Sequence, residues 1–375
     1  MTGCDVCGSR KNDCVFAGDF RVNEQINLIV LHTLFMREHN RLASALARLN
    51  PSWTDDRLYQ EARRMTIAEY QHIIYKEWLP VVIGNNLMTS YGLLPLTSGF
   101  SKDYMDNFDP RITNEFAAAA FRFGHSMVPA SYSSLPPPGR AGGSRRIKLA
   151  DIFFKPTVMK EAGFLDSLVR GMSQQASASF DNSFVEDLRN NLFESAPGRG
   201  GLDLVAINVQ RGRDHGIPGY NKYREICLGS KVTDWDDFTN TIAPAKVAIL
   251  KVIYKSVDDV DLYVGGFLET PHEDSILGPI FKCLIGDQFA RLKKGDRFFY
   301  DLGVDSRLAF RPSQLDQLRR TSLARIICDN TDTVTTIQPL AFKLPTAAKA
   351  NSLRPCSDPS IPSVDLSVFR EQLVF

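Results

Sequence analysis

Long apolar runs are missing from this 375-residue sequence. The best candidates, such as Ile26–Phe35, are interrupted by His32 and Thr33 and fall short of the roughly 20 residues a membrane helix needs. An excess of either charge is also missing. Lys and Arg number 44 against 43 for Asp and Glu, which removes the electrostatic case for nucleic acid or an anionic membrane. No Gly-rich phosphate loop joins a strand to a helix, and no repeat of fixed period appears. Gly-x-Ser-x-Gly and His-Glu-x-x-His are both absent, so serine-hydrolase and zinc-protease chemistry have no support. Neither a basic-then-apolar leader nor an Asn-x-Ser/Thr acceptor occurs. Cys4-x-x-Cys7 lacks the second close pair that a four-ligand zinc site requires. Seven cysteines fit better with a disulfide-bearing extracellular protein, the odd count leaving at least one thiol over.

What is present reads as a mainly α protein with few short strands, one domain over residues 1–375. Ile26–Leu49 carries an apolar stripe through Leu28, Leu31, Leu34, Phe35, Leu42, Leu46 and Leu49, ended by Asn50 and Pro51. A second helix begins near Thr54 and Asp55 and runs through Arg57–Trp78, with Pro80 beyond it. Asp109 and Pro110 read as the cap and first position of a third, Arg111–Met127. Further helices are expected at Phe164–Ser177, Ser183–Glu194, Tyr220–Ile226, Pro244–Tyr254 and Pro312–Ile327, and strands at Arg297–Tyr300 and Thr333–Thr336. Ser134–Ser144, rich in Pro, Gly and Ser, reads as a surface loop, and the tail from Pro345 as a surface segment pinned by Cys356.

Six histidines are the natural ligand candidates, and His125 stands out among them. It lies near the end of the third helix, where the run Ala117–Ala120 leaves one face thin enough for a flat macrocycle to pack. The plainer alternative is a core helix built on Phe116, Phe121 and Phe123.

Several ordered motifs resemble the animal haem peroxidase family. They are AGDFRVNEQ from Ala17 to Gln25, LHTLFMREHNRLA from Leu31 to Ala43, FRFGH ending at His125, and NVQRGRDHGIPGYN from Asn208 to Asn221. IGDQF (Ile285–Phe289), GDRF (Gly295–Phe298) and RIICDN (Arg325–Asn330) follow in the family's order, so the likeness runs from about Cys14 to Cys356.

The resemblance implies a b-type haem and hydrogen peroxide as oxidant, with a small-molecule or tyrosyl electron donor. It implies His125 as the proximal iron ligand and Asn208 as acceptor of a hydrogen bond from its other ring nitrogen. Arg21 matches the catalytic arginine on the distal side, which would stabilise charge on the departing oxygen. Glu24 matches a glutamate that can be esterified to a haem methyl, and Arg122 and Arg211 match arginines near the haem propionates. Gln25 stands where myeloperoxidase, a family member, has a methionine, so no sulfonium link is implied. Disulfides Cys227–Cys283 and Cys328–Cys356 follow from the same pattern, while Cys14 pairs with Cys4 or Cys7. The likeness makes His39 and His215 structural. The family's distal histidine, a second ester-forming aspartate and a calcium site belong upstream of the Arg21 motif, and none of the six histidines matches that base. The expectation is therefore a piece of a secreted peroxidase. Its rival is a degenerate member kept as a matrix or binding component.

Overall fold

The computed structural model describes residues 14–139, 143–194, 199–303, 305, 307–347 and 349–371; Cys4 and Cys7 lie outside them. Among the described residues the chain is mainly helical, with two small antiparallel sheets. Helix Ile26–Leu49 links two apolar clusters. Its first half gives Ile26, Val30 and Leu34 to a cluster with Leu168, Val169 and Ile326, and its second half gives Leu42 and Leu46 to a cluster with Met65, Phe281 and Ile285. Helix Asp55–Ile73 starts where the Thr54 side chain accepts from the Arg57 N–H and packs along the first helix. It passes into a π-helical turn, Ile74–Trp78, before Pro80 falls in the next short helix, Leu79–Ile83.

Four expectations are corrected. Arg111–Met127 is not one helix: Asp109 is occupied by the Arg111 N–H and guanidinium, and the α-helix spans only Asn114–Ala118. The backbone breaks at Ala119 (φ −135°, ψ −71°) into a tighter 3-10 turn, Ala120–His125. Ser183–Glu194 shrinks to Glu186–Arg189, because Leu192 leaves to form an antiparallel bridge with Leu202. Pro312–Ile327 divides into Pro312–Leu318 and Leu323–Asn330 where the Ser322 side chain caps a new start. Arg297–Tyr300 is a turn, its N–H groups bonding to Asp296 and Gln71 instead of to a neighbouring strand.

Strand Thr336–Ile337 pairs with Arg354–Pro355, slightly later than expected, and Cys328–Cys356 ties the tail beside it. The Ser134–Ser144 loop joins two strands, Ser131–Ser134 and Arg145–Lys148, with residues 140–142 outside the described set.

Helices Leu204–Asp214, Leu262–Leu268 and Pro279–Lys294 have no counterpart in the sequence reading. The last has no exposed residue: it buries Lys282, Gln288 and Lys293 along with Ile280, Phe281, Leu284, Ile285, Phe289 and Ala290, so polarity along it does not mark which face is covered. Cys227–Cys283 joins it to helix Tyr220–Leu228. Glycine sets the approach of Leu262–Leu268: a Cβ at Gly265 would overlap the Tyr220 ring, and one at Gly266 the Phe281 ring. That close seat carries Tyr263 toward His125.

Candidate haem site

His125 ends the 3-10 turn with its ring half-buried, and its Nδ1 lies 3.0 Å from Nδ2 of Asn208. Asn208 is fully buried in helix Leu204–Asp214, whose start is fixed by Asp203 accepting from the Val205 and Ala206 N–H groups. On the other side of the amide, Arg122 Nη1 donates to Asn208 Oδ1 at 2.5 Å, while Arg122 Nε donates to the Ala117 carbonyl. The buried Tyr263 hydroxyl lies 3.3 Å from Asn208 Nδ2.

A guanidinium only donates, so the amide oxygen must face Arg122 and the amide nitrogen must face His125. The expected bond is therefore reversed: Asn208 donates to Nδ1 instead of accepting from it, because Arg122 holds the oxygen.

The electrostatics keep the imidazole neutral. Burial first, and the Arg122 charge second, pull the His125 pKa down to about 4. Neutral imidazole is the metal-binding form. The Arg122 guanidinium is itself disfavoured, by burial and then by the like charge of Arg211. Arg211 has only a loose pairing with Asp214, at 3.9 Å. Two cations thus stand near each other with little anionic compensation.

These observations suit a metalloporphyrin. His125 Nε2 has no hydrogen-bond partner among the described residues, and a Cβ on Gly124 would meet no atom within 4 Å. Among the described residues no group of three or more His, Cys, Asp or Glu side chains is placed to hold a metal ion. An ion taken by one imidazole must then arrive with its other ligands. A macrocycle bearing carboxylate arms would supply these and also neutralise the arginine pair.

Arg21 and Glu24 share no hydrogen bond with Asn208, Arg122 or Tyr263. Arg21 is mostly exposed and forked onto Asp19, with Nη2–Oδ2 at 2.6 Å and Nε–Oδ1 at 2.9 Å. No hydrogen bond joins either residue to His125. The Glu24 carboxyl is pushed up to about 7 by burial, and its carbonyl accepts from the Phe154 N–H at 3.1 Å.

Phe154 and Phe193 both hold left-handed backbones, φ 53° and 55°, and their rings meet at 4.8 Å. They line a cavity of about 740 Å³ rimmed by Arg146 and Lys155. Two phenylalanines in sparsely populated backbone conformations thus share one cavity wall, and composition offers no warning of them. Of the remaining histidines, His39 lies 3.2 Å from both the Tyr59 carbonyl and Asn40 Oδ1, and His215 lies 2.7 Å from Asn114 Oδ1.

Known proteins place this arrangement in context. A family model described as animal haem peroxidase matches residues 2–342. Chorion peroxidase of Drosophila melanogaster is 42% identical over 360 residues, covering 95% of this chain and 44% of that protein. Peroxidasin of the same organism is 37% identical over 362 residues, 96% of this chain and 23% of its own length. The chain thus spans less than half of either relative. Among solved structures, Peroxidase A from Dictyostelium discoideum has a TM-score of 0.76 at 35% identity, covering 90% of this chain and 61% of that one. A fatty acid alpha-dioxygenase from Arabidopsis thaliana, at 21% identity and TM-score 0.68, shares the fold over 97% of this chain and 60% of its own.

Proposed function

Since this chain belongs to the animal haem peroxidase family, we propose that it forms the haem-binding part of a peroxidase that uses hydrogen peroxide to oxidise a small-molecule or tyrosyl donor. The cofactor is a b-type haem within one domain spanning the chain. When bound, it supplies an iron that accepts peroxide and stores oxidising equivalents for the donor.

The chain's own residues do the rest. His125 would hold the iron through its neutral imidazole, and Asn208 orients the ring. Arg122 and Arg211 take the propionates. Arg21 supplies positive charge on the peroxide side, and Glu24 is the carboxyl for a covalent link to the haem edge. We place the protein outside the cell, a setting that suits the Cys227–Cys283 and Cys328–Cys356 disulfides.

The observation that carries this reading is His125, bonded through Nδ1 to buried Asn208 and with no partner on Nε2 among the described residues, beside the arginines Arg122 and Arg211. The test is a haem titration followed by absorption. Wild type should give a Soret band with a histidine-ligated spectrum, and His125→Ala should lose that ligand signature. Identical spectra for the two proteins would overturn the assignment.

A second reading, haem binding without turnover in a matrix or binding role, draws on Arg21, which is tied to Asp19 at the surface. Peroxide-dependent oxidation of a simple phenol by the haem-loaded protein would remove it.

A further inference from the structure

The direction of the Asn208–His125 bond has a consequence for the tautomer of the ring. With Asn208 Nδ2 donating to Nδ1, the neutral imidazole must carry its proton on Nε2. That nitrogen then has no lone pair to offer a metal. Iron ligation through Nε2 requires the opposite tautomer, with Nδ1–H donating to an oxygen. The only atom of Asn208 able to receive it is Oδ1, which faces Arg122 while Nδ2 faces the ring.

Turning the amide over would place its NH₂ against the Arg122 guanidinium, donor facing donor. Arg122 therefore opposes the turn until its guanidinium finds another acceptor. Tyr263 does not oppose it. Its hydroxyl now accepts from Nδ2, and its own hydrogen has no acceptor among the described residues. After the turn the same hydroxyl donates to Oδ1.

We propose that Tyr263 is a positioning residue that keeps the Asn208 amide bonded in both orientations, while the partner of Arg122 selects between them. A carboxylate drawing Arg122 away thereby prepares His125 to ligate iron. The inference rests on the reading of His125 as the iron ligand, and it makes propionate docking and imidazole tautomer a single event.

The experiment is ¹⁵N NMR of the histidine side chains in the haem-free chain near pH 7.5, with His125 assigned by its loss in His125→Ala. Wild type should show the Nε2–H tautomer, and Arg122→Met should gain a measurable Nδ1–H population. Iron-free protoporphyrin IX, which carries both propionates, should shift wild-type His125 to Nδ1–H, and its dimethyl ester should not. An Nδ1–H ring in the untreated wild-type chain would overturn the proposal. So would an Nε2–H ring unmoved by Arg122→Met, or equal effects of the acid and the ester. If neither porphyrin binds, the cofactor reading fails, and the Arg122→Met comparison still decides the coupling.

For Tyr263, the ferrous haem complex of Tyr263→Phe should show a shifted iron–histidine stretching frequency at unchanged haem stoichiometry. An unmoved frequency would deny Tyr263 its role.

Discussion

Around His125 the bonds are long-range in sequence: Asn208 reaches His125 across 83 positions, Arg122 across 86 and Tyr263 across 55. Arg21, by contrast, bonds to a residue two positions away. The first kind of contact forms only after the chain has closed large loops, so its geometry belongs to the folded protein. The second can form in an unfolded chain. The cluster around His125 is therefore built by the tertiary structure, whereas the Arg21–Asp19 fork reports only local geometry.

The comparison breaks first, and hardest, at Asn208. Its side chain is fully buried and serves Arg122, His125 and Tyr263 at once. Asn208→Leu should lower the unfolding free energy by about 2–4 kcal/mol, because it strands buried polar groups. It should also weaken haem binding by roughly 10- to 100-fold, the usual cost of losing a group that orients a ligand. Denaturant unfolding and haem titration measure the two effects. A change under 0.5 kcal/mol would show that the three bonds carry little.

The motif around His125 and Asn208 was legible from the sequence, since type and order of residues suffice to match a family. The pairing of Arg122 with Asn208 was not. Arg122 was expected to serve the propionates, and the competition for Oδ1 exists only in three dimensions. Tyr263 left no trace, being one of two aromatics in a seven-residue helix whose seat depends on Gly265 and Gly266.

Helix Pro279–Lys294 escaped because it buries Lys282, Gln288 and Lys293 with its apolar residues, which blurs the polar-outside pattern that marks a surface helix. Strand Arg145–Lys148 escaped because only Ile147 in it is buried, leaving no alternation to detect. By contrast, Ile26–Leu49 was read to the residue, its apolar stripe being one-sided and its end marked by Asn50 and Pro51.

The two regions should also answer pH in opposite senses. His125 titrates near 4 in the folded chain against a reference of 6.5. The unfolded state binds more protons between those values, so this group's contribution to stability falls as pH drops from about 6.5 to 4. Glu24 titrates near 7 against a reference of 4.5. Here the folded state binds more protons, so its contribution falls as pH rises from about 4.5 to 7. Each contribution is at most about 3 kcal/mol. The slopes cancel in part between pH 4.5 and 6.5. Glu24→Gln should therefore steepen the acid-side loss of stability, and His125→Leu should expose the alkaline-side loss. Parallel pH profiles for both variants and wild type would refute the assignment of opposite signs.

The smallest effect is expected at Arg21. Its guanidinium is two-thirds exposed and its one carboxylate partner is a sequence neighbour. An exposed pair of this kind contributes about 0–1 kcal/mol and less in salt. Arg21→Ala should then shift stability by no more than about 0.5 kcal/mol and leave haem affinity within twofold of wild type. Peroxide-dependent turnover is a separate quantity: if Arg21 stabilises the departing oxygen, kcat/KM should drop by roughly 10²–10³ while affinity holds, as when another preorganised donor is removed. Unfolding curves, haem titration and phenol oxidation on one preparation separate the three. A haem affinity that falls as far as in Asn208→Leu would place Arg21 within the cofactor cradle and erase the distinction between the two regions.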